Sequence, residues 1–346
     1  MTALGQWYSR SGTDADVAVS SRARLARNLL GYPFPLMLSR EQEEHVQKEV
    51  VEAFGRLAGS FEIVYLDRIS PLERKILLER NLISQEFSVS PNKLLLFTRD
   101  ESLSTMVNEE DHLRLVAIKS GLCLQEVVAA AAELDSSLEE HVHYAASIEW
   151  GYLNSSIHNI GTGLRASVML HLPALVMDGN IGWALKRTSQ MGLQIKGYWG
   201  DGDSSLGDMY QVANQVSLGA SEKEIVAGLN SVVADLVGYE RAAREDMVNG
   251  RRMDIEDRIF RAFGVLSHCR MVSSKEAIGL LSMIRLGISL RLLERPSLEV
   301  ITALMVLSQK AHIQKMLDAQ DDETDNKLVD YTRARLIRRA LEEGNV

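Results

Sequence analysis

The chain has 346 residues, 46% of them hydrophobic and 25% charged, a balance that allows a substantial core and leads us to expect two domains. Its formal net charge of −9 argues against nonspecific nucleic-acid binding, which needs a broad basic field, so any polyanionic ligand must be held by a local cluster. Cys123 and Cys269 are the only cysteines, and the N-terminal MTALGQWYSRSG lacks an apolar signal region. We therefore expect no disulfide framework, no structural metal site, no secretion and no membrane span, as in a reducing cytoplasm.

Taken in chain order, residues 15–25 are expected as a strand, with Val17-Ala18-Val19 leading into Ser20-Ser21-Arg22-Ala23-Arg24. Period two projects Arg22 and Arg24 from one face, two forked guanidiniums about 7 Å apart that suit a chain of phosphates. A solvated surface strand is the plainer alternative. Residues 41–56 have helical apolar spacing.

The string Val107-Asn-Glu-Glu-Asp-His-Leu-Arg-Leu115, continued to 117, is expected as one strand. Alternation then puts Glu110, His112 and Arg114 on one face, with Leu113 and Leu115 on the other beside Glu109 and Asp111. A carboxylate able to hold a cation would sit two same-face steps from an arginine able to hold a phosphate.

Helical spacing returns at 124–143. The Gly161-Thr162-Gly163 turn can bring backbone N–H groups near an anion, and the strand expected over 164–172 places Arg165, Ser167, Met169 and His171 on one face. His171 reads more simply as structural than as a ligand. A strand at 193–199 runs into the glycine-rich Lys196-Gly197-Tyr198-Trp199-Gly200-Asp201-Gly202-Asp203-Ser204, either a loop that closes over a substrate or an ordinary hairpin.

A long helix is expected from Ser221 to Val248, ending at Asn249-Gly250, and everything after Met253 reads as helix. The domain boundary is placed near 245–252, giving a catalytic unit of residues 1–248 and an all-helical unit of residues 249–346. The acidic run 318–325 is expected as a solvated loop. Walker, dinucleotide, zinc-protease and esterase signatures are absent.

In this order, SSRARLARN, NEEDHLR, NIGTGLRASV, KGYWGDGD and QVANQVSLG resemble the ATP:guanido phosphotransferase (phosphagen kinase) family. The C-terminal MVSSKEAIGLLSMIRLGI and RARLIRRAL are similar to its bacterial protein-arginine kinase branch. The resemblance implies an α+β catalytic domain, a mainly antiparallel sheet flanked by helices as in glutamine synthetase-like folds, followed by an all-α domain. It implies ATP as phosphoryl donor, Mg2+ held through the nucleotide, and protein arginine side chains as acceptors.

Carried onto this chain, the ATP contacts fall at Ser20, Ser21, Arg22, Ala23, Arg24, Asn81, Arg114, Arg165, Ala166, Ser167, Val168, Met169, Lys196, Gly197, Tyr198, Trp199, Gly200 and Asp201. Arg22, Arg24, Arg114, Arg165 and Lys196 would form the phosphate clamp. Glu110 and Asp201 would align the acceptor guanidinium, with Glu110 taking its proton and Ser156 helping to position it. A guanidinium with a pKa above about 12 needs such help before it can attack.

The family's phosphoarginine pocket, RDxxRA, would map to Asp330, Arg333 and Ala334, with Val329 replacing the first arginine. An activator protein, a Clp-type protease as partner and a homodimer are further implications. The early start of the arginine strand leaves no room for the helical domain with which kinases of small guanidino metabolites enclose their substrate, which favours a protein acceptor over free arginine. Asn81, Ser156, Lys196, Asp201 and Ser204 stand where the family pattern has His, Cys, Arg, Glu and Glu. They motivate the alternative of a non-catalytic, nucleotide-binding adaptor that recognises phosphoarginine or a partner.

Overall fold

The structure, a computed structural model, describes residues 6–198, 205–318 and 324–345. The first half of the chain folds as β1 (Ala18–Arg27), α1 (Arg40–Phe54), β2 (Phe61–Tyr65), α2 (Pro71–Glu79), α3 (Gln85–Val89), β3 (Leu94–Thr98), β4 (Leu103–Val107), β5 (Leu113–Ser120) and α4 (Leu124–Glu139). Next come the two-residue strands β6 (Ala146–Ser147) and β7 (Gly151–Tyr152), then β8 (Leu164–His171), α5 (Pro173–Met177), α6 (Ile181–Gln190), β9 (Leu193–Gly197) and β10 (Met209–Asn214). The remainder is helical: α7 (Glu222–His268), α8 (Ser274–Ser289), α9 (Leu298–Leu307), α10 (Lys310–Met316) and α11 (Asn326–Glu343).

Helix starts follow local chemistry. Ser39, Ser70 and Ser221 each accept a hydrogen bond from the third helical N–H, and Gln42, Glu73 and Glu224 reach back to the cap N–H. Two orphan donors are thus satisfied at each of α1, α2 and α7.

Eight strands form one antiparallel sheet in the order β2-β3-β4-β5-β1-β8-β10-β9. Strand β1 lies inside it, paired with β5 on one edge and β8 on the other. Ala23 and Leu25 of β1, Leu115 and Ala117 of β5, and Leu164, Ala166, Val168 and Leu170 of β8 are buried in the main core together with apolar residues of α4 and α7. Arg22, Arg24, Arg114, Arg165 and Ser167 take the alternate positions and share the opposite face. The expected mixture of an antiparallel sheet with flanking helices and a helical C-terminal region is what the structure contains.

Two expectations are corrected. Residues 107–117 are not one strand: β4 ends at Val107, Asn108 turns with φ 62°, and β5 begins at Leu113. Asn108 tolerates the left-handed backbone of the turn, Glu110 is exposed, and the buried Asn108 and Asp111 side chains find hydrogen-bond partners at Glu43 O and at Asn28 Nδ2 and Ser155 N. Nor does Asn249-Gly250 end the long helix, because Ile255, Ile259, Ala262 and Leu266 prolong the buried stripe of α7. That burial offsets a helical glycine cost of about 1 kcal/mol, and the backbone deviates only at Arg251, with φ −138° and ψ 37°.

The helical C-terminal region packs onto the sheet-bearing part in several places. Arg285 of α8, fully buried, donates to Thr302 at 2.9 Å and to the Ala15 carbonyl at 2.5 Å. Glu79, at the end of α2, accepts from the Ala311 and His312 backbone N–H groups of α10 at 2.8 and 3.1 Å, and its Oε2 is 2.7 Å from His312 Nδ1. The acidic run expected as a loop begins at Asp318 and ends at Asp325, which caps α11; residues 319–323 lie outside the described residues.

Candidate active site

A cavity of about 670 Å³ opens on the arginine-bearing face of the sheet, within the size range of ligand sites. Arg22, Arg24 and Arg114 line it together with Glu109 and Glu110, while Pro35, Leu36 and the 83–90 segment form other walls. The sheet brings the arginines together because β1 and β5 are neighbours and all three occupy same-face positions. Arg165 lies directly across from Arg24 on β8 and donates to Gln194 Oε1 at 2.5 Å.

This is a crowded set of cations. Burial, reinforced by Arg114, Arg165 and Arg22, holds the Arg24 guanidinium well below the usual arginine range. Burial also lowers Arg22 and Arg165, and Arg114 adds to both shifts. The Nε atoms of Arg22 and Arg24 are buried without a hydrogen-bond partner. Unpaired, desolvated guanidiniums in one concave wall are the donor set that a polyphosphate would satisfy.

The two glutamates of the hairpin turn are in different states. Glu109 is engaged: Arg114 Nη1 donates to its Oε1, as does the Ser84 hydroxyl at 2.7 Å, and Glu110 N donates to its Oε2 at 2.8 Å. Burial pushes the Glu109 carboxyl up, but Arg114 and these donors prevail and hold it below its ordinary value. Glu110 is exposed at the cavity, and its carboxylate accepts from Asn159 Nδ2 at 3.4 Å.

Glu109, expected on the face opposite Glu110 and Arg114, instead reaches Arg114 because 108–112 is a turn and not a strand. His112, expected on one face with Glu110 and Arg114, is fully buried, and its Nδ1 accepts from Leu29 N at 3.0 Å. Asp111, also buried, accepts from Asn28 Nδ2 and Ser155 N, both at 2.7 Å. These two side chains fix the turn that presents Glu110. Ser155 N reaches Asp111 and Asn159 Nδ2 reaches Glu110, and Ser156 lies between them in the chain, half-buried, its carbonyl accepting from Asn159 N at 3.0 Å.

A narrow crevice continues from Arg22, lined by Ser20, Asn81, Ser167, Met169, Tyr198 and Gln211 among others. The Tyr198 hydroxyl donates to Asn81 Oδ1, and Gln211 Nε2 donates to Ser167 Oγ at 3.1 Å. Ser21, Ala23, Ala166 and Val168 fall on the other face of the sheet, buried at positions whose backbones pair on both edges. They space the functional side chains instead of touching the cavity. Gly197 ends β9, and Lys196 sits exposed across from Gln211 near that edge of the sheet. Trp199, Gly200, Asp201 and Ser204 lie outside the described residues.

The Gly-Thr-Gly turn has a different role from the one expected. The Gly161 N–H donates to Tyr152 O at 3.4 Å, and Gly163 O accepts from Ala26 N at 3.1 Å. At Gly163, with φ +67°, an added Cβ would come within 2.6 Å of Arg27 Nη1. The glycine makes room for Arg27, which pairs with Asp135 at 2.7 Å inside the protein. His171 is structural, buried with its Nε2 2.9 Å from Ser282 Oγ.

Among the C-terminal candidates, Arg333 is buried and already engaged by Asp330 Oδ1 at 2.5 Å, the Ser308 carbonyl at 2.7 Å and the Val272 carbonyl at 2.8 Å. Ala334 is fully buried in the main core. In the described conformation this cluster joins α11 to the residues preceding α8 and α10. Among the described residues, no three His, Cys, Asp or Glu side chains converge as a metal site, and no helix is long and apolar enough to cross a membrane.

The family model for the ATP:guanido phosphotransferase C-terminal catalytic domain matches residues 43–243, and that for the protein-arginine kinase McsB C-terminal domain matches residues 252–345. A protein-arginine kinase of Geobacillus stearothermophilus is 40% identical over 351 residues, covering 98% of this chain and 94% of that protein. One from Bacillus subtilis is 39% identical over 343 residues, with the same two coverages. Among solved structures, lombricine kinase superposes with a TM-score of 0.60 at 24% identity, covering 69% of this chain and 68% of that one. The duplicated taurocyamine kinase of Schistosoma mansoni with bound transition-state analog components gives 0.62 at 22% identity, covering 76% of this chain and 40% of that one. The fold likeness, the catalytic-domain match over more than half of the residues and the near full-length relatives together establish that the chain belongs to the ATP:guanido phosphotransferase family.

Proposed function

We propose that the chain is a protein-arginine kinase that transfers the γ-phosphoryl group of Mg-ATP to arginine side chains of proteins. Family membership supports the reaction class, and the relatives' identity over nearly their whole length supports the protein acceptor. The observation that carries the chemistry is the split between the two glutamates: Glu109 is consumed by Arg114, while Glu110 stays open in the same cavity as Arg22 and Arg24.

The donor set fits the nucleotide. Arg22, Arg24, Arg114 and Arg165 would hold the phosphates, with Lys196 at the margin and Ser20, Asn81, Ser167, Met169 and Tyr198 around the adjoining crevice. Phosphoryl transfer has a loose transition state, so these cations act by alignment and by neutralising charge on the transferred group's oxygens. Mg2+ would be held through the phosphates and would shield their charge.

The acceptor's planar fork is oriented by Glu110, which accepts its N–H bonds and takes the proton released as the N–P bond forms. Asp201 is proposed as the second orienting carboxylate, and Ser156 as a hydrogen-bonding neighbour. Lysine is a poor acceptor because a single ammonium cannot match a bidentate carboxylate contact.

A Clp-type protease, an activator protein, a homodimer, a cytoplasmic setting and phosphoarginine binding near Asp330 and Arg333 rest on the family resemblance alone. The test is incubation with Mg-ATP and a denatured arginine-rich protein, followed by a search for acid-labile phosphate on arginine, with free arginine as competitor. Nucleotide binding without any such phosphate would sink the proposal and leave the adaptor; efficient competition by free arginine would redirect it to a small-molecule kinase.

A further inference from the structure

Between β1 and α1 the chain makes a single 3-10 turn, Pro35–Met37, closed by Met37 N donating to Phe34 O at 2.8 Å. Residues three apart eclipse in such a turn, so Phe34 and Met37 stand on one side. Phe34, Leu36 and Met37 are 39%, 89% and 76% exposed, three large apolar groups in four residues. Pro35 and Leu36 line the same cavity as Glu110, Arg22 and Arg24.

This apolar segment is fastened at its base. Asn28 Nδ2 donates to Asp111 Oδ1 at 2.7 Å, His112 N donates to Asn28 Oδ1 at 2.9 Å, and Leu29 N donates to His112 Nδ1 at 3.0 Å. The Tyr32 ring meets the His112 ring edge-on at 6.0 Å. Asn28, Asp111 and His112 are buried, so the segment and the turn carrying Glu110 form one hydrogen-bonded unit. The base of the exposed segment is therefore fixed to that turn, and Leu36 within it shares the cavity wall with Glu110.

We propose that Phe34, Leu36 and Met37 are an apolar lip that grips side chains neighbouring the target arginine, so that the enzyme selects arginines flanked by apolar residues. This rests on the protein-arginine kinase reading and deepens it. The occupant is a substrate polypeptide segment, because the lip is continuous with the acceptor cavity and is fixed to the turn that holds its carboxylate. A free guanidino metabolite would leave the lip bare. Half-burying one leucine-sized side chain against it favours binding by about tenfold.

The experiment compares two single-arginine peptides of equal charge, one with Leu or Phe at the two positions on each side, the other with Gly and Ser there. Wild-type enzyme should prefer the apolar peptide by about tenfold in kcat/KM, mainly through KM. The exposed double variant Leu36→Ser/Met37→Ser, checked by thermal melting, should bring the ratio of the two peptides close to one. Phosphorylation of both peptides without preference by wild type would overturn the lip and leave the kinase reading intact. Phosphate on neither peptide, with Mg-ATP bound, would overturn both. A double variant that loses concentration-dependent self-association while keeping the peptide ratio would assign these residues to a second copy of the chain instead.

Discussion

Changing Glu109 and Glu110 one at a time to glutamine should have opposite consequences. Glu110 is exposed, and the contact of its carboxylate with Asn159 Nδ2, 3.4 Å, is longer than an ordinary hydrogen bond, so Glu110→Gln should shift stability by no more than about 0.5 kcal/mol. Its rate at saturating Mg-ATP should fall on the order of 10²- to 10⁴-fold, the usual worth of a positioned base. Glu109 and Arg114 have side chains only 9% and 14% exposed, and Glu109→Gln would leave Arg114 without its counter-charge among Arg22, Arg24 and Arg165. Breaking a desolvated pair in this way costs about 3 kcal/mol, or roughly 5 °C of melting temperature in a chain of this size. Thermal unfolding without nucleotide and single-turnover phosphorylation of a denatured protein separate the two effects. If Glu109→Gln melts like wild type and abolishes transfer while Glu110→Gln still transfers, the two carboxylates have been assigned the wrong way round.

Replacing Arg24 with Met should raise the melting temperature of the apo protein, since it removes a guanidinium crowded by three others, and should abolish the stabilisation that saturating Mg-ATP gives wild type, about 2.7 kcal/mol at a hundred times Kd. A higher apo melting temperature with the nucleotide shift retained would place the phosphates elsewhere. His112, whose pKa burial lowers to about 4, is neutral in the folded state, so the unfolded chain binds the extra proton between that value and an ordinary histidine near 6.5. Its contribution is fully present above pH 6.5 and is lost as pH falls towards 4, about 3 kcal/mol in all. In urea titrations over that window, His112→Leu should show a pH slope smaller by up to one proton. Glu79→Ala should cost roughly 2 kcal/mol by stripping acceptors from the Ala311 and His312 N–H groups, and should raise KM for ATP because α2 leads directly into Asn81. An unchanged KM with the stability loss would confine Glu79 to a structural role.

What was legible in the sequence was local. The two-residue alternation around Arg22 and Arg24 and the helical spacing at 41–56, at 124–143 and from Ser221 onward depend on neighbours in the chain, and they appear in the structure as β1, α1, α4 and α7. The hairpin at 108–112 was missed because alternation of Glu110, His112 and Arg114 mimics a strand, although Asn followed by three acids was itself a turn signal. No local pattern announces that His112 receives its hydrogen bond from Leu29, 83 residues away, or that Glu79 receives one from Ala311, 232 residues away. Gly163 was legible as a turn, but its reason, the nearby Arg27 guanidinium, belongs to the packed protein.

Strand β1 carries Arg22 and Arg24 and, just beyond its last residue, Asn28, which grips Asp111 beside Glu110. Four residues of extended chain, about 13 Å, therefore set the separation between the donor's anchorage and the acceptor's. One edge of this ruler pairs with β5 as far as Arg27, the other with β8 as far as Leu25. Side chains along it can be exchanged, but gaining or losing one residue between Arg24 and Asn28 would turn one end of the machinery into the core. The length of that span is thus less free to drift than its composition.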